Sequence, residues 1–554
     1  VTRGFVCEER LCYGPWQALE RTIARLLLHA GFKNVKLVGG TGDRGADIVG
    51  MMGPDVWVVQ SKYRMDGWVS KEAGQEAVRS MKFYGATVAV AVSNSGFNEE
   101  ALKHREQMIQ RGVTLNLWGG AALHRYFQKL ETFCINRKKL RDYQGRAVAA
   151  AEEARSQGQI SALILMATGL GKSVVAAELA ANEISRNPEQ EILVLAHTKG
   201  IVSQLEKSFW PQLSKHTSTH LWADGEKPSY NGGIVFATYQ SLVSTIQTGE
   251  SLHKRFSVVI VDEAHHAPAS SYSMLIEHLA PNFLVGLTAT PWRGDGISLQ
   301  QVFGKPVFTM GIVEAMQKGY LSPVEYSMLA DSIDWDEVAL CSKQGLSIKD
   351  LNRRLILPER DLAMAKRISD AAKLIRDFRG LGFCRSINHA EKLLPFLRAH
   401  GLEAALVHSQ QTRDEIYRKL SRFQNADIKF LLSVEMLNEG IDLPEVNFIA
   451  FMRVTHSRRI FVQQLGRGLR LSPNKNKVVV LDFVADIRRY IEGLRINTQA
   501  KNRAENQEVL YFKNGSVISF EGAAPPGFFE NYLEDVANLE DIEDTAKLEF
   551  PDRF

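Results

Sequence analysis

The chain has 554 residues, 45% hydrophobic and 23% charged, with a net charge of +4. That length exceeds one hydrophobic core and points to three or four domains of ordinary globular composition, with no repeat and no low-complexity block. No apolar run nears the roughly 18 residues of a membrane span, the opening VTRGFVCEERLCYG has no export-signal pattern, and five scattered cysteines fit a reducing cytoplasm without a structural zinc clip.

Residues 16–127 read as helix, three strands, helix, strand, helix, strand, helix, a sheet flanked by helices. WQALERTIARLLLHAGF has apolar residues at helical spacing and stops at Gly31. GADIVGM and VWVVQSKY follow as strands. Residues two apart on a strand share a face, so Gln60 and Lys62 point the same way. A hairpin through Met52-Gly53-Pro54-Asp55 sets Met51 opposite Val56, and counting back sets Asp47 opposite Gln60. Polar groups at the end of an apolar strand pair need partners, and a metal ion is a natural one. Asp47 offers a carboxylate oxygen, Gln60 an amide oxygen, and Lys62 a charge to steer water and balance a pentacoordinate phosphorus. By itself, Gln-x-Lys on a strand favours the plain reading, a strand edge that carries a lysine.

Residues 128–139, with NRKK, join this region to the next. ALILMATGLGKS is an apolar run entering a glycine-rich turn, with a helical pattern after it. Such a turn suits a triphosphate. Thr168, Gly169 and Gly171 lie in the loop, where the glycines let backbone N–H groups approach phosphates at a helix N-terminus. Lys172 reaches the β- and γ-phosphates, and Ser173 offers its hydroxyl to Mg²⁺. FSVVIVDEAHH supplies an apolar strand ending in acid: Asp262 for Mg²⁺ and Glu263 to orient or deprotonate the attacking water. The adjacent His265 and His266 point different ways and have no further ligand cluster, so they are not read as metal ligands.

From Leu140 to about Leu494 these motifs, in order, resemble the superfamily-two DEAH-type helicases and translocases, closest to the DNA-directed branch of restriction motors and excision-repair helicases. The resemblance implies two RecA-like parallel-sheet lobes, ATP, and a strand tracked through its phosphates. It places Gln144 of LRDYQ on the adenine, Thr288 and Thr290 of GLTATPWR between ATP and nucleic acid, and Gly440 and Asp442 of NEGIDLP in the cleft. In QQLGRGLR, Gln463, Arg467 and Arg470 share one helical side, the two arginines acting as fingers on the γ-phosphate. Thr238 and Tyr239 are either strand contacts or packed lobe residues. The front region is similar to the Mrr-like branch of the PD-(D/E)xK nucleases. Its motifs are GGTGDRGADIV, VQSKY and VSNSGFNEEA, and its helix glutamate falls on Glu20. This implies a restriction-endonuclease-like α/β domain with Glu20, Asp47 and Gln60 around Mg²⁺. Gln60 stands where the wider superfamily has an acid, so Glu20 is expected to supply the second charge.

Asp331 to Pro358 reads as the segment between lobes. EVLYFKNGSVISF reads as a hairpin turning at Asn514-Gly515. From Ser519 onward the net charge is −8, which leaves +12 on the rest. A basic body fits DNA, expected to be double-stranded, and the acidic tail is a flexible extension or a protein-docking segment. The expected organisation is 1–127 nuclease, 128–139 linker, 140–325 and 326–494 lobes, and 495–554 hairpin and tail. The expected function is an ATP-driven DNA translocase or helicase coupled to a Mg²⁺-dependent endonuclease, in restriction of foreign DNA or phage defence. The alternatives are a motor with an inactive DNA-gripping front domain acting in repair, and an ATP-switched nucleic-acid sensor or assembly subunit.

Overall fold

The computed structural model describes residues 4–39, 45–264, 269–289, 299–329, 359–384, 386–434, 443, 445–452, 468–473, 475–483 and 517–520. They form three sheets within two compact units, Val1–Met166 with Gly171–Thr309, and Ala167–Leu170 with Met310–Phe554. No helix among the described residues is long and apolar enough to cross a membrane.

The front sheet has five strands in sequence order: β1 (Lys33–Leu37), β2 (Ile48–Met52), β3 (Asp55–Lys62), β4 (Val88–Ser93) and β5 (Thr114–Trp118). The first three are antiparallel and the last three parallel. Every residue of β4, Val-Ala-Val-Ala-Val-Ser, is buried, as a parallel strand covered on both faces should be. The helix Trp16–His29 presses Leu19, Ile23, Leu26 and Leu27 onto Ile48, Val59 and Val90. Each such side chain contributes roughly 1.5–3 kcal/mol of apolar burial. The hairpin register is the one counted from the sequence: Met51 pairs with Val56, and Met52 with Asp55 closes the turn.

The second sheet holds β6 (Ser161–Met166), β7 (Glu191–Ala196), β8 (Thr219–Trp222), β9 (Gly233–Thr238), β10 (Phe256–Asp262), β11 (Phe283–Thr288) and β12 (Pro306–Met310). Its order is β12-β6-β11-β10-β7-β9-β8, with parallel pairing from β6 through β8. A parallel sheet brings the C-terminal ends of its strands to one edge, where ligands bind in such folds. Here β11 separates β6, which enters the glycine loop, from β10, which ends in Asp262.

The third sheet, in the second unit, holds β13 (Val324–Leu329), β14 (Gly380–Cys384), β15 (Ala404–His408), β16 (Phe430–Val434), β17 (Phe448–Met452), β18 (Val478–Phe483) and β19 (Val517–Phe520). Its order is β15-β16-β14-β17-β18-β13-β19, parallel except for the antiparallel β13–β19 edge. Two RecA-like parallel sheets behind a restriction-endonuclease-like α/β domain are the fold class expected from the sequence. The Asn514-Gly515 turn, the segment Asp331 to Pro358 and the tail beyond Phe520 lie outside the described residues.

Candidate functional site

Asp47 stands just before β2 and is 4% exposed; Gln60, near the end of β3, is also 4% exposed. The hairpin brings them together. Gln60 Nε2 donates to Asp47 Oδ2 at 3.0 Å, and Ser61 donates to the same oxygen through its backbone N–H at 2.6 Å and its hydroxyl at 2.8 Å. Three donors on one oxygen set the rotamer of the carboxylate. They also set the orientation of the Gln60 amide, because its NH₂ must face the anion and its carbonyl must face away. That carbonyl, Oε1, is buried and accepts no hydrogen bond among the described residues. Lys62 Nζ lies 2.6 Å from Glu76 Oε2, with both side chains about one-third exposed.

Ser61 and Glu76 were not singled out from the sequence. Strand alternation turns Ser61 to the other face, yet Asp47 lies at the strand entrance, where the Ser61 backbone reaches it. Glu76 belongs to the helix Glu72–Tyr84, which the sequence pattern placed but did not orient. Glu20 is half-buried on the helix Trp16–His29, and the hydrogen bonds among Asp47, Gln60 and Ser61 are made without it. Part of the glycine-rich approach, 40–44, lies outside the described residues.

The next residue on that helix, Arg21, reaches into the lobe built on the second sheet. It forms an ion pair with Glu206 at 2.8 Å and a bidentate pair with Glu226, all three side chains being buried. Burial opposes its charge, and the two carboxylates outweigh that, holding its guanidinium above the ordinary value. One turn on, Arg25 donates to the carbonyls of Thr217 at 2.8 Å and Ser214 at 3.0 Å, with Phe5 beneath its guanidinium at 4.4 Å. Burial pushes Arg25 down to about 9. Lys215 of the lobe donates to the carbonyls of Gln128 and Leu130, at 3.2 and 2.5 Å, at the end of the helix Gly120–Lys129. A cation at a helix C-terminus satisfies carbonyls with no intrahelical partner. The joining segment is also fastened to the lobe: Lys215 N–H donates to Thr132 O, Lys138 N–H to Gln212 Oε1, and Arg137 pairs with Glu178.

In the glycine loop, Gly169 and Gly171 have φ of +93° and +82°, a left-handed backbone that side chains rarely adopt. Lys172 and Ser173 open the helix Lys172–Arg186. The Thr168 hydroxyl is buried and bonds to nothing among the described residues. A Cβ at position 171 would lie 2.6 Å from Gln144 Nε2, so the Gln144 side chain rests on the loop. Its side-chain carbonyl accepts from Arg141 N–H at 2.9 Å, which satisfies the N-cap backbone donor at the start of the helix Asp142–Ser156. Lys172 Nζ lies 3.3 Å from Glu263 Oε1, both side chains largely buried. Glu263 directly follows β10 with φ +47°, strained for a non-glycine residue. Asp262 ends β10 in register with Leu287, next to Thr288 at the end of β11. Thr238 caps the helix Tyr239–Gln247, accepting from Ser241 N–H, and Tyr239 packs on the lobe core.

In the second unit Arg470 is half-buried, and its carbonyl accepts from Ser322 Oγ. Gly440, Asp442, Gln463, Arg467, Thr290, His265 and His266 lie outside the described residues. Among the described residues no three His, Cys, Asp or Glu side chains gather as a metal cluster. The Asp47 group differs from such a cluster in carrying an amide.

Three family descriptions match successive stretches: restriction endonuclease of the Mrr catalytic kind at 14–127, type III restriction enzyme res subunit at 137–293, and helicase conserved C-terminal domain at 366–472. IRC3 of Saccharomyces cerevisiae, which carries the name of an ATP-dependent helicase, is 24% identical over 63% of this chain and 52% of its own. The type I restriction enzyme EcoAI endonuclease subunit of Escherichia coli is 25% identical over 62% of this chain and 46% of its own. The chain thus spans about half the length of these curated relatives. Among solved structures, the ATP-dependent type ISP restriction-modification enzyme LlaBIII bound to DNA aligns with a TM-score of 0.53 at 18% identity. It covers 94% of this chain and 42% of its own, a likeness of fold.

Proposed function

We propose that this chain, a superfamily-two helicase core joined to an Mrr-like restriction-endonuclease domain, is an ATP-driven DNA translocase that hydrolyses phosphodiester bonds at its front domain. Restriction of foreign DNA is the setting that best suits this pairing. The observation that carries the reading is the Asp47–Gln60 pair, joined across one hairpin with Lys62 two residues on along the strand, in the same compact unit as the helix Lys172–Arg186. Proposed boundaries are 1–127 for the nuclease, 140–325 and 326–494 for the lobes.

In the motor, Lys172 neutralises phosphate charge, Ser173 and Asp262 hold Mg²⁺ of the nucleotide, and Glu263 orients the attacking water. Lys172 must exchange Glu263 for phosphate when ATP arrives, which releases the carboxylate for that water. Gln144, resting on the loop, is placed to read adenine. Arg467 and Arg470 supply the arginine fingers, with Gly440, Asp442 and Gln463 lining the cleft.

In the nuclease, the unbonded Gln60 Oε1 and the Asp47 carboxylate fit a hard divalent cation, which takes oxygen donors. Mg²⁺ held there would activate a water and stabilise charge on the phosphate. Ser61 and the Gln60 amide hold Asp47 in place, Lys62 faces the developing charge, and Glu20 supports the site from its helix.

The test is DNA-stimulated ATPase and DNA cleavage by the full chain, with and without ATP and Mg²⁺. Lys172→Ala should lower ATPase on the order of 10²–10³-fold. Asp47→Ala and Lys62→Ala should abolish cleavage and leave ATPase intact. Cleavage that survives both changes would refute the nuclease assignment and leave a motor with a DNA-gripping front domain.

A further inference from the structure

We infer that Glu76 is the positioning residue of Lys62, and that it brings to the nuclease centre the carboxylate that Gln60 does not. The inference rests on the nuclease reading above. Lys62 Nζ and Glu76 Oε2 are 2.6 Å apart, so the ammonium is held at one place on the face it shares with Gln60. The helix Glu72–Tyr84 takes its position from packing and not from this pair. Ala73 and Ala77 are 1% and 0% exposed, and Ala73 packs against Ala91 of the neighbouring strand. A Cβ at Gly45, two residues before Asp47, would lie 2.8 Å from the Glu76 carbonyl. The start of the helix therefore lies along the chain that delivers Asp47, and Glu76 stands beside the centre whether or not Lys62 is present.

The charges require such a residue. Asp47 is the one anion in the hydrogen-bonded group, Gln60 is neutral and Lys62 is cationic. A divalent ion beside an unrestrained ammonium would repel it from the metal. Glu76 opposes that repulsion from the far side of Lys62 and leaves Gln60 Oε1 and Asp47 to the cation. An ion pair one-third exposed adds little to stability, so its effect belongs to the geometry of the reaction. A lysine displaced by about 1 Å can cost 10²-fold in rate.

The experiment compares Glu76→Ala and Glu76→Gln with Asp47→Ala and Lys62→Ala in the full chain. It reads cleavage kinetics with ATP and Mg²⁺, Mg²⁺ binding by calorimetry, ATPase and thermal unfolding. Expected for Glu76→Ala is a fall in cleavage kcat on the order of 10–100-fold, with KM for DNA, Mg²⁺ affinity, ATPase and unfolding midpoint unchanged. Glu76→Gln, whose amide oxygen still accepts from the ammonium, should recover most of the rate. Unchanged cleavage in Glu76→Ala, where Lys62→Ala abolishes it, would overturn the inference. A tenfold loss of Mg²⁺ affinity would also overturn it, making Glu76 a metal ligand. Full cleavage in both Asp47→Ala and Lys62→Ala would instead remove the nuclease reading, and this inference with it.

Discussion

Lys62 and Lys172 each hold a carboxylate, Glu76 at 2.6 Å and Glu263 at 3.3 Å, but their surroundings differ. Lys172 and Glu263 are 10% and 16% exposed, whereas Lys62 and Glu76 are 36% and 35% exposed. A buried pair is hard to separate without a charged replacement, because each partner left alone is an uncompensated charge. Phosphate is such a replacement for Glu263. The strained Glu263 backbone, at φ +47°, belongs to the residue that the proposed mechanism requires to change partners. The exposed pair on the front domain costs little to keep and need not part during a cycle. On the proposed function, the Lys172–Glu263 pair would act as an exchangeable restraint, and the Lys62–Glu76 pair as a fixed one.

Four changes test this contrast, in descending size of effect. Glu263→Gln should cut ATPase on the order of 10²–10⁴-fold, while ATP binding, read with a fluorescent analogue, stays equal or tightens because Lys172 is released. Weaker ATP binding would break the idea of an exchangeable restraint. Arg21→Met leaves Glu206 and Glu226 buried without their cation and should cost about 3–5 kcal/mol in denaturant unfolding. That measures how firmly the front site is anchored to the motor lobe. Gln60→Glu sets a second carboxylate where an amide now donates to Asp47 at 3.0 Å. The lost donor and the new repulsion should cost about 1–3 kcal/mol without metal. Added Mg²⁺ should raise its unfolding midpoint more than that of the native chain.

The last effect, absent at neutral pH and growing only in acid, concerns His29, buried at the front-domain contact with no bond to either ring nitrogen among the described residues. Burial, then the nearby Arg25 and Lys215 charges, push it down to about 3 from an ordinary 6.5. The unfolded chain therefore binds a proton that the folded chain refuses between those values. Its contribution to stability is complete above about pH 6.5 and is lost as pH falls towards 3, at no more than about 1.4 kcal/mol per pH unit. His29→Leu should flatten that acid limb in unfolding titrations and change nothing at neutral pH.

Much of both sites could be read along the chain because each rests on short-range geometry. The pairing of Asp47 with Gln60 follows from strand alternation and one tight turn, and the glycine loop from a strand running into Lys172-Ser173. Glu76 was missed for the opposite reason. A helix that packs on a sheet through small residues can present several faces, and local sequence does not choose among them. Glu20 came from family resemblance; its helix proves to be the one whose next residue, Arg21, enters the motor lobe.

Periodicity separates the strands and helices of the front domain along the chain, since side chains repeat every two residues in a strand and every 3.6 in a helix. The order of motifs gives the expectation that a phosphate-binding lobe follows a smaller α/β domain. Tertiary structure decided which charges meet. Lys62 with Glu76, Lys172 with Glu263, and Arg21 with Glu206 and Glu226 are all pairs between separate elements. Their formation depends on helix placement and strand order across a sheet. These are set by the packing of whole faces, which no local pattern encodes.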